Sequence, residues 1–134
     1  MAAAKKKILL VDDTAVIRRS IRSLLERGGY EVFEAVDGDD GLAKTVLHGP
    51  DLIVLDVMMP TRSGLEVAAS LKSRSEYKNI PILLFTGVPL TAAKGKEHWL
   101  KQSFADDFLA KPCKFRDLLG KIEALLKRPA SGRP

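Results

Sequence analysis

Apolar residues in this chain gather in short runs, and the stretches between the runs keep a different period. Ile8–Val11, Ile53–Leu55 and Ile82–Phe85 are uninterrupted apolar runs, as expected of central parallel strands covered on both faces. Glu31–Ala35 and Phe108–Ala110 are weaker strand segments. Between them, Ile17, Ile21, Leu24 and Leu25 form a helical stripe that stops at Gly28-Gly29, a natural C-terminal signal. Leu42, Val46 and Leu47 predict a second helix, and Leu65, Ala68 and Leu71 a third. Trp99, Leu100 and Phe104 hint at a fourth, weakened by Gly95, and Phe115, Leu118, Leu119, Ile122, Leu125 and Leu126 make the clearest stripe. The order is a strand followed by a helix, five times. With right-handed crossovers it predicts an α/β fold: a (βα)5 doubly wound five-stranded parallel sheet with helices on both faces.

Composition narrows the class. At 134 residues, 46% hydrophobic and 29% charged, the chain is expected to form one domain with a real core. The longest aliphatic runs have four residues, far short of the roughly 18 that mark a membrane span. The start, MAAAKKK, has charge but no apolar segment after it and does not read as a secretory signal. One cysteine, Cys113, excludes an internal disulfide framework and suits a reducing cytoplasm. Residues 1–128 are expected to form the domain. The tail at 129–134, PASGRP, is expected to be disordered, whether as a natural end or as the stub of a linker. The net charge of +5 resides in residues 94–134, with ten Lys and Arg against five Asp and Glu. That is either a solvated basic face or a surface for an acidic partner or nucleic acid.

Ligands of open α/β sheets bind beyond the carboxyl ends of the strands. There the first strand delivers Asp12 and Asp13, the third Asp56, the fourth Thr86 and the fifth Lys111. Each alone has an ordinary explanation, since Asp and Thr after a strand are common turn formers and helix caps. Asp56 is less easily dismissed, because it directly follows a very apolar run. Adjacent carboxylates at the end of a buried strand repel each other and call for a cation. Clustered carboxylates favour Mg²⁺ over zinc, and His48 and His98, in or beside helical stretches, are expected on the surface. A divalent cation with a fixed ammonium is an apparatus for phosphoryl transfer. No GxxxxGK[ST] or GxGxxG accompanies it. The phosphoryl group must therefore arrive on a donor other than a cradled nucleotide, with Asp56 as nucleophile.

Taken with their spacing, LLVDDT, YEVFEAVDGDDGL, PDLIVLDVMMPTRSGLE, PILLFTG and ADDFLAKP resemble the receiver domain of two-component response regulators, over residues 5 to about 128. The resemblance implies a flavodoxin-like fold, like that of single-domain chemotaxis regulators. It implies that Asp56 is the phosphoacceptor, loaded from a phosphohistidine of a sensor histidine kinase or phosphotransfer protein. It implies that Asp13, Asp56 and the main-chain carbonyl of Met58 hold Mg²⁺, with Asp12 acting through a water. Lys111 would pair with the Asp56 carboxylate and then with the phosphoryl oxygens, and its bond to Pro112 would be cis. Thr86 and Phe108 would be the switch residues, and the Met58 side chain would lie beside the path of hydrolytic water.

The chain departs from the family pattern in places. Thr86 and Lys111 are about three residues further apart than expected. Phe104 stands where a helix-ending Gly is common, Phe108 replaces a frequent Tyr, and Cys113, expected to be a small buried thiol, stands where an aromatic is common. The resemblance implies an output surface within residues 92–128, where Lys94, Lys96, Lys101, Lys114, Arg116 and Lys121 could flank Trp99 and Phe108 and receive an acidic protein partner. Alternatively Trp99 packs in the core. Of the rival functions, a phosphorylation-independent adaptor is opposed by the intact site. An aspartyl phosphatase is opposed by Met58 standing where an Asp-x-Asp signature needs Asp, and a nucleic-acid binder by the lack of a reading motif.

Overall fold

Every apolar run becomes a strand. The computed structural model describes residues 4–87, 100, 101 and 103–128. In chain order the elements are β1 (Lys7–Val11), α1 (Ala15–Arg27), β2 (Glu31–Ala35), α2 (Gly38–His48), β3 (Leu52–Leu55), α3 (Gly64–Lys72), β4 (Ile82–Thr86), β5 (Asp107–Ala110) and a last helix, α4 (Phe115–Leu126). The strands pair in parallel in the order β2-β1-β3-β4-β5. Trp99, His98, Lys94 and Lys96, the longer connection after β4 and the tail from Pro129 lie outside the described residues.

Alternation along the strands divides the core in two. Ile8, Leu10, Leu52, Val54, Leu83 and Phe85 face one side, packed with Ile21 and Leu25 of α1 and Leu118, Ile122 and Leu125 of α4. Leu9, Val11, Ile53, Leu55, Ile82 and Leu84 face the other, packed with Val67, Ala68 and Leu71 of α3. A strand buried on both faces can contain no polar alternation, which is why these strands read as continuous runs. Asp106, just before β5, accepts hydrogen bonds from Lys72 Nζ (2.7 Å) and Ile82 N (2.8 Å), and so ties α3 and β4 to the entry of β5.

The helix α2 corrects the expected stripe. Its buried residues are Gly38, Gly41 and Thr45, with Leu42 partly buried, whereas Val46 is 60% and Leu47 70% exposed. The reason is distance: a side chain at Gly41 would press within 3.1 Å of Val11, so small residues let the helix lie close to the sheet. On its outer side, Lys44 Nζ donates to the main-chain oxygen of Glu34 (3.0 Å) on β2, an edge strand. Leu100, Lys101 and Ser103 are helical. Phe104 comes next with φ +62°, its N donating to Leu100 O at 2.8 Å. The left-handed terminator that glycine usually supplies is therefore kept, by a phenylalanine.

Candidate functional site

Register brings the site together. β1 and β3 pair with Val11 opposite Leu55, so the next residues along each strand, Asp12 and Asp56, emerge side by side. Asp56 N also donates to Val11 O at 3.0 Å. Asp13 comes next along the chain, and one carboxylate oxygen from each of Asp12, Asp13 and Asp56 lies within 4.8 Å of the others. A cluster of hard oxygen donors, with no His or Cys among its members, is the donor set that Mg²⁺ takes. The residues present fit that ion.

The two adjacent carboxylates differ in environment. Asp12 is buried and Asp13 exposed. Asp12 Oδ1 accepts from Thr14 N (2.8 Å), so Asp12 does act as a turn former. Its Oδ2 accepts from Lys111 Nζ at 2.6 Å. The protein itself thus supplies a counter-charge for Asp12. The same Nζ lies 3.6 Å from Asp56 Oδ2 and 5.1 Å from the centre of the Phe85 ring. The resemblance implies a pairing of Lys111 with Asp56; its shorter contact is with Asp12, the carboxylate of the two that is more fully buried. The Lys111–Pro112 bond is cis, as the resemblance implies.

Thr86 ends β4 and is buried, and its main-chain oxygen accepts from Lys111 N at 2.9 Å. Phe108 is buried in the α3-side core, so it offers no exposed anchor in this conformation. Among the described residues, the exposed aromatic is Phe104, at 66%. Cys113 is only half-buried; it lines an apolar groove of about 280 Å³ beside Lys111, between α1 and α4. His48 is also partly buried, stacked on Phe33 with ring centres 3.9 Å apart.

The β3–α3 loop carries Met58, 65% exposed, and is held at both ends. Val57 N donates to Asp56 Oδ1 (2.7 Å), and Gly64 N to Val57 O (2.8 Å). Thr61 has φ +67°, and its hydroxyl accepts from Asp39 N (3.3 Å), while Arg62 pairs with Asp39 at 2.6 Å. Ser63 caps α3 reciprocally with Glu66.

One residue beneath the site is absent from the candidates that the sequence suggests. Arg18 is buried in α1, where Nη1 donates to Asp12 O (2.8 Å) and Nε to Glu34 Oε1 (2.7 Å). Arg22 binds the second Glu34 oxygen at 2.7 Å. Burial pushes the Glu34 carboxyl up, but the hydrogen bonds from Arg22 and Arg18 outweigh it and hold the group below its usual range. A signal was present: Arg18, Ile21 and Leu25 stand at i, i+3 and i+7, the spacing of one inward face.

Comparison with known proteins agrees with this geometry. The response regulator receiver domain matches residues 8–123. The transcriptional regulatory protein ResD of Bacillus subtilis is 42% identical over 125 residues, covering 91% of this chain and 48% of ResD. This chain thus spans about half the length of ResD, as it does of several other curated regulators that it matches. Among solved structures, the Vibrio cholerae chemotaxis protein CheY4 superposes with a TM-score of 0.82 at 34% identity, covering 91% of this chain and 99% of CheY4. The Thermotoga maritima response regulator TrrA, solved with Mg²⁺ and BeF, superposes at 0.77 with 32% identity, covering 90% and 98%. Among the described residues, no helix is long and apolar enough to cross a membrane.

Proposed function

The chain belongs to the response regulator receiver family, and from that premise we propose that residues 1–128 act as a phosphoacceptor switch loaded by a sensor histidine kinase or phosphotransfer protein in the cytoplasm. The observation that carries this reading is the convergence of Asp12, Asp13 and Asp56 within 4.8 Å, with one ammonium, Lys111, reaching both Asp12 and Asp56.

In the proposed step an Asp56 carboxylate oxygen attacks the phosphorus of a phosphohistidine. An O–P bond forms as the N–P bond breaks, and the imidazole leaves with the electron pair. Asp13, Asp56 and the Met58 carbonyl would hold Mg²⁺, with Asp12 behind a water, and the ion would neutralise charge on the phosphoryl oxygens. TrrA was solved with Mg²⁺ and BeF, which supports this assignment. Lys111 supplies a second positive charge, and Thr86 a hydroxyl for a phosphoryl oxygen. The acyl phosphate adds negative charge and strong acceptors. Only one arrangement of Thr86 and Lys111 satisfies them, so the modification shifts an equilibrium. Because Lys111 N is bonded to Thr86 O, movement of one draws on the other, and Phe108 moves with them as the second switch residue. The output is a downstream protein of acidic character meeting Lys114, Arg116 and Lys121. Reading of nucleic acid is not assigned to these residues.

The test is labelling with acetyl phosphate and Mg²⁺. Asp56 alone should be labelled, Asp56→Asn should abolish the label, and EDTA should suppress it. Label surviving in Asp56→Asn overturns the reading.

A further inference from the structure

Arg18 keeps a permanent charge in a side chain only 8% exposed. An aliphatic side chain at that point of the α1 stripe would pack without the desolvation cost of a buried guanidinium, so its contacts define what the charge does there. One is Glu34 on β2; the other is the main-chain oxygen of Asp12. That oxygen belongs to the peptide joining Asp12 to Asp13. The other polar atoms of Asp12 are held elsewhere: N by Ala35 O (3.1 Å), Oδ1 by Thr14 N, Oδ2 by Lys111. Asp13 is exposed and, among the described residues, makes no hydrogen bond of its own. Its aim is therefore set through the peptide that Arg18 holds.

The geometry points to Arg18 as a positioning residue for the cation: it locks the Asp12–Asp13 peptide so that the Asp13 carboxylate faces Asp12 and Asp56. Glu34 in turn locks the guanidinium, with Arg22 satisfying its second oxygen. This inference rests on the phosphoacceptor reading, since it concerns the ion that reading requires.

Outer partners of metal ligands commonly govern affinity by 10- to 100-fold. Calorimetric titration of the full chain with MgCl₂ should show Arg18→Met weakening Mg²⁺ binding about tenfold. Arg18→Lys should fall between it and the parent, because one ammonium cannot span both partners. Glu34→Gln should weaken binding about two- to threefold, by loosening Arg18 without removing it. Urea unfolding of the same samples separates the roles: a purely structural arginine would lower the midpoint and leave Mg²⁺ affinity unchanged. If Arg18→Met does not fold, Arg18→Lys and Glu34→Gln decide the matter. Folded variants that bind Mg²⁺ as tightly as the parent overturn the assignment, provided that Asp13→Asn abolishes binding in parallel. A parent protein that binds no Mg²⁺, or an Asp13→Asn variant that binds it undiminished, overturns the cation reading and the role of Arg18 with it.

Discussion

The α-carbon of Gly64 rests against the main-chain carbonyl of Asp56, so closely that a β-carbon added there would collide with that oxygen. The glycine closing the Asp56-to-Gly64 motif is thus a packing requirement of the Asp56 peptide itself. Gly64→Ala must push α3 away from the end of β3. It should cost about 1–3 kcal/mol, as overpacking does, and slow labelling by acetyl phosphate. Urea denaturation and a labelling time course check both.

Phe104 should be replaceable with profit. A left-handed residue with a β-carbon costs about 1–2 kcal/mol, against roughly 0.5–1 kcal/mol for the extra unfolded freedom of glycine. Since its ring is mostly exposed, little burial is lost. Phe104→Gly should raise unfolding stability by about 0.5–1 kcal/mol in denaturant titration.

Glu34 should make stability depend on pH in acid. Its carboxyl is held below its usual value of 4.5 in the folded chain. Its contribution is therefore complete above that value and lost as pH falls through the lower, folded one. Glu34→Gln should lower the urea midpoint at pH 7, and the gap to the parent should narrow as pH falls below 4.5.

Met58, two residues past Asp56, offers only a thioether, a weak hydrogen-bond partner for water. Met58→Asn and Met58→Glu should each change the decay rate of the phosphorylated protein several-fold, measured by loss of label after removal of acetyl phosphate.

Cys113 should react slowly. Burial pushes its thiol up and Asp117 pushes it further, against a smaller opposing hydrogen bond from the Leu118 main chain. Thiolate is the nucleophile, so alkylation by iodoacetamide at pH 7 should be several-fold slower than that of glutathione, as monitored by mass spectrometry.

The sheet was legible because its inner strands are buried on both faces, so that Ile8–Val11, Ile53–Leu55 and Ile82–Phe85 stand out as unbroken runs. The candidate site was legible for a topological reason: parallel strands deliver the residues after them to one edge, as they do Asp12, Asp56, Thr86 and Lys111. Packing distance is less visible in a string of letters. The inner face of α2 consists of Gly38, Gly41 and Thr45 because closeness to Val11 matters more there than hydrophobicity, so its apolar letters, Val46 and Leu47, mislead. Arg18 was not among the candidates because its partner, Glu34, stands on another element. The ending at Phe104 was hidden because left-handed geometry was imposed on a residue that does not favour it.

The ammonium of Lys44 also has a bearing on how the molecule behaves in company. A border strand with free carbonyls invites a foreign strand to continue the ladder. On β2 the outward carbonyl of Glu34 is already taken, and by a charge that a newcomer would have to dislodge. Crowded copies of this protein can therefore touch along that flank without fusing into one growing sheet.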